Sequence, residues 1–159
     1  MKLIRTENDR LIFFLTAWEK LLWIQTLEMY PLVPTTHHRL TKTSNKLVQA
    51  EDQHLLEEAV AEQREENRRR VRKFLDEPHQ FAETKTGSQL ALRREDVEWL
   101  LQVLNDVRVG AWLALGEPEE IHQESREENS SIVFALEASG YFQSELLGGL
   151  GHHDPSGDC

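Results

Sequence analysis

The stretch EDVEWLLQVLNDVRVGAWLAL, residues 95–115, decides the fold of this chain. An α-helix turns by about 100° per residue, which places apolar side chains on two opposite faces of this segment. One face carries Val97, Leu100, Leu104, Val107, Ala111 and Leu115, and the opposite face carries Trp99, Val103 and Leu113. A helix that is apolar on two faces usually lies inside a protein. The sequence therefore predicts a central helix with other elements packed around it.

Two charged residues interrupt this apolar helix. Arg108 falls within the first face and Asp106 falls on the opposite face. A charged group in an apolar interior is stable only when it is paired and hydrogen-bonded. We therefore expect both side chains to be buried with internal partners. In the purely structural interpretation, Arg108 pairs with a carboxylate such as Glu19, and Asp106 pairs with an arginine from residues 68–72.

The same segment also contains the strongest candidate for a ligand site. The planar guanidinium of Arg108 suits a carboxylate or a phosphate. Asn105 lies on the same side of the predicted helix, and Trp112 lies one turn further along. Asn105, Asp106, Arg108 and Trp112 are thus the candidate ligand-binding residues, for an anion or another small molecule.

The N-terminal region predicts a β-hairpin followed by a helix. Residues 2–5 and 11–15 are β-prone, and the Asn8-Asp9 pair between them tolerates the left-handed backbone of a tight turn. Thr16 and Glu19 have the spacing of a capping box, which marks a helix start. This helix is expected to end near Tyr30.

Residues 47–76 have a helical composition but an unusual gap. The segment 62–70 contains no apolar residue, so no core is expected to cover it. Residues 47–76 as a whole are expected to form either one helix or two. The basic run 68–73 resembles a nucleic-acid or acidic-partner patch. Neighbouring glutamates offset this charge and no aromatic residue accompanies it, which favours a solvated helix face.

The remaining segments complete an α+β prediction. Residues 89–92 alternate as a strand does, and this strand would join the hairpin in a small antiparallel sheet. Gly116 ends the central helix, and Ser131 is expected to cap a last helix. The expected organisation is a single, mainly helical domain over residues 1–148 with a flexible tail over residues 149–159.

Charge and cysteine content restrict the class of protein. The net charge is −10, with ten acidic residues and one basic residue in 117–159, which disfavours nucleic-acid binding and suits a basic protein partner or simple solubility. Cys159 is the single cysteine, which fits a reducing cytoplasm. Glu19 and Lys20 interrupt the apolar run 11–30, so we expect no membrane span.

No motif identifies a catalytic or metal centre. The pairs His37-His38 and His152-His153 lack the spacing of metal ligands, and no phosphate loop or nucleophile elbow is present. The sequence therefore predicts no cofactor and no metal, and favours a protein that is not an enzyme. The four tryptophans lie at helical positions among aliphatic residues, which predicts that they pack in the core.

The central region resembles a bacterial family. It is similar to a pattern of a short strand, an acidic helix start, a Leu-Asn-Asp-Leu-Arg step and a Leu-Gly exit, in that order at residues 90–92, 97–100, 104–108 and 113–116. These features are typical of the family catalogued as domain of unknown function number two thousand and seventeen. The resemblance covers roughly 30 residues, and Val107 replaces a leucine. It implies a cytoplasmic bacterial protein, encoded near the adaptor of the Clp protease, and no known activity.

These observations favour a non-enzymatic interaction or regulatory module that binds a protein partner. The resemblance adds a link to regulated proteolysis. The alternative is a small-molecule site or enzyme built around Asn105, Asp106 and Arg108. The sequence does not indicate an oligomeric state.

Overall fold

The computed structural model of the protein describes residues 1–32, 48–121 and 127–151. Its elements in chain order are the strands β1 (Lys2–Glu7) and β2 (Arg10–Leu15), the helices α1 (Ala17–Glu28) and α2 (Val48–Asp76), the strands β3 (Phe81–Glu83) and β4 (Ser88–Arg93), and the helices α3 (Arg94–Ala114) and α4 (Ser130–Gly151). This architecture confirms the predicted α+β fold, which is mainly helical.

The four strands form one antiparallel sheet in the order β1-β2-β4-β3. Asn8 and Asp9 have φ angles of 50° and 60°, so the predicted left-handed turn joins β1 to β2. The predicted strand near residues 89–92 is β4, which lies beside β2. The sequence did not predict β3, a three-residue strand at the sheet edge. Side chains on one face of the sheet are buried in the core, namely Leu11, Phe13, Leu15, Leu90 and Leu92.

The predicted capping box starts α1. The Glu19 amide donates to the Thr16 hydroxyl at 3.2 Å, and the Thr16 amide donates to the Glu19 carboxylate at 2.9 Å. The helix ends at Glu28, two residues before the predicted end at Tyr30. Its buried Trp23 packs edge-to-face on Phe142 with ring centroids 5.0 Å apart, which joins α1 to α4.

Helix α3 is the central helix that the sequence predicts. Both of its apolar faces are buried, including Leu100 on one face and Val103 on the other. Gly116 adopts a φ of 83° just beyond the helix end. The amide of Gly116 donates to Leu113 and the amide of Glu117 donates to Trp112, each at 3.0 Å. These bonds satisfy the last carbonyls of α3, as a Schellman motif does.

Residues 48–76 form one helix, which decides between the two predicted alternatives. Its 29 residues span about 44 Å. The C-terminal part packs on the core through Val71, Phe74 and Leu75. Leu55 and Leu56, nearer its start, are exposed.

The expectation that no core covers residues 62–70 is wrong at Asn67. This side chain is buried, and its oxygen accepts a hydrogen bond from the Trp99 indole at 3.1 Å. Its amide nitrogen donates to the Tyr30 hydroxyl at 3.4 Å. A polar residue can enter the core here because its donor and acceptor both find partners.

Three further expectations need correction. Trp18 and Trp112 are exposed, by 66% and 39%, whereas Trp23 and Trp99 are buried as predicted. Helix α4 begins at Ser130, so Ser131 lies inside the helix and is not its cap. The Asn129 carbonyl accepts hydrogen bonds from the amides of Ile132 and Val133 in the first turn. The same helix continues to Gly151, and the buried Gly149 lies beyond the boundary expected at residue 148.

None of the helices in the described parts of the chain combines the length and apolarity that a membrane span requires.

Two glycines of α4 provide a matched test of its packing. A Cβ atom at Gly140 would lie 3.6 Å from Arg108 Cζ, an ordinary contact, whereas one at Gly149 would lie 2.7 Å from Cζ of the fully buried Phe13. We expect Gly140→Ala to stabilise the fold by about 0.5–1 kcal/mol through helix propensity. Gly149→Ala should destabilise it by about 1–3 kcal/mol through overpacking. Urea unfolding followed by circular dichroism measures both, and a shift of the same sign in both variants would contradict this packing.

Asn67 provides a test of how α2 is attached. Asn67→Leu keeps the approximate volume but leaves the Trp99 indole N–H without an acceptor, so we expect a loss of about 1–3 kcal/mol. Trp99→Phe in the Asn67→Leu background removes the orphaned donor, so the two changes together should cost less than the sum of the single changes. Glu62→Leu, at an exposed position of the same helix, is the control. Strict additivity of the two changes would show that the hydrogen bond contributes nothing.

Candidate functional site

A groove between α3 and α4 contains most of the residues that the sequence nominates. Helix α3 contributes side chains at the i, i+3, i+4 and i+7 positions of one stripe, which are Asn105, Arg108, Val109 and Trp112. Helix α4 and the connection between the two helices supply the other walls, with Leu136, Glu137 and Gly140 from α4 and Pro118, Glu119 and Ile121 from the connection. The volume of this α3/α4 groove is about 580 Å³.

The structure brings together three of the four candidate ligand-binding residues. Asn105, Arg108 and Trp112 line the α3/α4 groove, but Asp106 does not. Asp106 is half-buried and interacts with Tyr30. Burial raises the pKa of the Tyr30 hydroxyl, and the negative charge of Asp106 raises it further. The Asp106 carboxylate thus lies near the Tyr30 hydroxyl, outside the groove, and its pairing with an arginine of residues 68–72 stays a prediction.

The prediction that Arg108 is buried is wrong. Its side chain is exposed, and its guanidinium donates to the Gln143 side chain at 3.4 Å. Gly140 on the facing helix has no side chain, so the guanidinium passes over the backbone there and reaches solvent. A long arginine can lie at the edge of an apolar interface in this way while its charge stays hydrated. Glu19, the proposed partner, instead accepts hydrogen bonds from Tyr141 at 2.6 Å and from the Met1 amino group.

Trp112 forms part of the groove and also fixes one of its walls. Its indole N–H donates to the Pro118 carbonyl at 3.2 Å, which holds the start of the connection against α3. The rest of the ring stays partly exposed beside Val109, whose exposed fraction is 41%. Val109 was not among the predicted candidates, although its spacing from Asn105 and Trp112 places it on the same stripe.

The charge around the groove is negative. Arg108 is the cation among the lining residues, and Glu119 and Glu137 are the anions. Glu117 and Glu120 are exposed on the adjoining connection. Carboxylates at a rim repel an anion and attract a cation. The groove is therefore a poor place for the anion that Arg108 suggested, and a better place for a basic group.

The lining of the groove combines apolar and polar groups. Val109, Trp112, Ile121 and Leu136 give the groove an apolar lining, and its polar groups are an amide, a guanidinium and two carboxylates. Within residues 1–32, 48–121 and 127–151, no three side chains of the metal-ligating types come together.

Comparisons with known proteins do not add a family to this geometry. No family model, no curated protein and no solved structure matches the chain.

Proposed function

We propose that this protein is a binding module whose α3/α4 groove receives a segment of a partner protein. The observation that carries the proposal is the pair of exposed apolar side chains, Val109 and Trp112, inside an open groove with carboxylates at its rim. Recognition sites of this kind combine apolar contacts, which supply affinity, with charges that select the partner.

The chemistry of the groove specifies the segment. Val109, Trp112 and Leu136 fit an apolar anchor residue of the partner. Glu119 and Glu137 suit lysine or arginine residues on either side of that anchor. The expected ligand is thus a short basic segment with one or two large apolar residues. A link to regulated proteolysis, implied by the family resemblance, remains a further prediction.

The alternative is a small anionic ligand or substrate held by Asn105 and Arg108. Asp106 does not support this alternative, because it lies outside the groove. The negative charges of Glu119 and Glu137 also repel a bound anion. It is tested by the effect of Arg108→Met. A small anion that stabilises the wild-type chain against heat, and that fails to stabilise this variant, would favour the alternative over a protein ligand.

Selection from a random peptide library tests the proposed function. We expect peptides that bind the wild-type chain to share an apolar anchor flanked by basic residues. Val109→Glu places a charge on the groove floor at an exposed position, so it should preserve the fold. It should weaken the binding of these peptides by about tenfold or more. Fluorescence polarisation with labelled peptides measures the loss.

Leu21→Glu is the matched control, because Leu21 is also exposed and apolar but lies on α1, outside the groove. It should leave peptide affinity unchanged. The binding should also weaken with added salt, since the rim charges are exposed. Selected peptides that are acidic, or that bind the Val109→Glu variant as well as the wild type, would refute the proposed function.

A further inference from the structure

A second cleft has the opposite charge. It lies between the C-terminal part of α2, the adjoining strands β2 and β4, and the start of α3, and its volume is about 660 Å³. We call it the basic cleft. Its charged lining residues come from four elements and from the turn after α2, and they are Arg10, Arg70, Lys73, Glu77, Arg93 and Asp96.

The sheet places two arginines directly opposite each other in this cleft. Arg10 of β2 and Arg93 of β4 are antiparallel partners, so their side chains leave the same face of the sheet. Like charges in this position repel and destabilise a strand pair. Glu95 and Asp96 offset the charge of Arg93, so Arg10 is the arginine of this pair that is left for an anion.

One carboxylate in the cleft is shared between two guanidinium groups. Arg93 donates to Asp96 at 2.9 Å, and Arg70 donates to the same carboxylate at 3.2 Å. Asp96 therefore holds these two arginines close together at the start of α3. Arg93 also pairs with the Glu95 carboxylate, so Glu95 and Asp96 together balance the charges of Arg93 and Arg70.

Arg10 and Lys73 carry the remaining positive charge. Neither side chain forms an ion pair with any residue that the structure describes. With Glu95 included, which pairs with Arg93, four cations face three carboxylates at the cleft, in a chain whose net charge is −10. Such a local excess attracts anions against the field of the whole protein.

We infer that the basic cleft binds small molecules that carry a phosphate monoester. This group has a charge of about −1.5 to −2 at neutral pH and three acceptor oxygens, which matches the two unpaired cations, Arg10 and Lys73, and the several donors. Arginine forks bind its oxygens with defined geometry. A single carboxylate supplies only half of the charge and fewer acceptors.

The same cleft is poorly suited to nucleic acid. Trp99 is its buried aromatic residue, with an exposed fraction of 6%, and the Arg70 guanidinium covers the ring at 4.1 Å from its centroid. No face of that ring is free to stack on a base. The negative net charge also repels a long phosphate backbone.

Calorimetric titration of the full chain tests this inference. The probes are inorganic phosphate and glucose 6-phosphate, with glucose and gluconate as the neutral and carboxylate controls, at pH 7.5 and low salt. We expect saturable binding of both phosphates, no binding of glucose, and at least about tenfold weaker binding of gluconate. Binding of glucose 6-phosphate should weaken as the pH falls below about 6, because the phosphate monoester then loses one negative charge.

Substitutions locate the binding. Arg10→Met and Lys73→Met should each weaken the binding of glucose 6-phosphate by about tenfold or more. Arg72→Met is the matched control, since Arg72 also lies on α2 but lines a different cleft beside Tyr30.

Several results would overturn the inference. These are the absence of saturable phosphate binding, equal binding of gluconate, and an equal loss of affinity in the Arg72→Met variant. Val109→Glu alters the α3/α4 groove and should leave phosphate binding unchanged, so failure at one site is distinguishable from failure at the other.

Discussion

The need to cover both apolar faces of α3 organises the whole molecule. A helix with two apolar faces must be covered on both, because exposure of either would cost about 25 cal/mol for each Å² of apolar surface. Helices α1 and α4 and the sheet provide part of this cover. The C-terminal part of α2 covers Trp99, where Phe74 packs on the ring with centroids 5.9 Å apart. Each other element is thus placed by its contact with the core around α3.

Helix α2 reaches this core with very little apolar surface of its own. A set of hydrogen bonds compensates, in which Asn67 contacts the Trp99 indole and the Tyr30 hydroxyl. Asp106 interacts with the same tyrosine, so one buried polar chain connects α2, the end of α1 and the central helix. Polar contacts of this kind require defined geometry, whereas apolar contacts tolerate sliding. Asn67 therefore fixes the position of α2 along its axis.

Local patterns predicted the parts of the fold that local chemistry determines. The periodicity of residues 95–115, the Thr16 and Glu19 capping box and the Asn8-Asp9 turn each act within a few residues. The short β3 strand depends on its pairing with β4, so no local pattern indicates it. The burial of Asn67 depends in the same way on a partner 32 residues away.

The candidate site was predicted in part for the same reason. Helical spacing placed Asn105, Arg108 and Trp112 on one side of α3, and they do share the groove. Spacing gives angles around one helix but not the position of its neighbours. The exposure of Arg108 depends on where α4 packs, with Gly140 beside the guanidinium, and the basic cleft is assembled from four separate segments. Neither feature has a signature in one stretch of sequence.

The end of α3 links backbone conformation to the shape of the groove. The Trp112 carbonyl accepts a hydrogen bond from the Glu117 amide, and its indole N–H donates one to the Pro118 carbonyl. One residue therefore holds the chain in two places where it leaves α3. That exit requires the positive φ of Gly116, which other residues rarely adopt. The shape of this groove is thus open to evolutionary tuning from a glycine that is not among its lining residues.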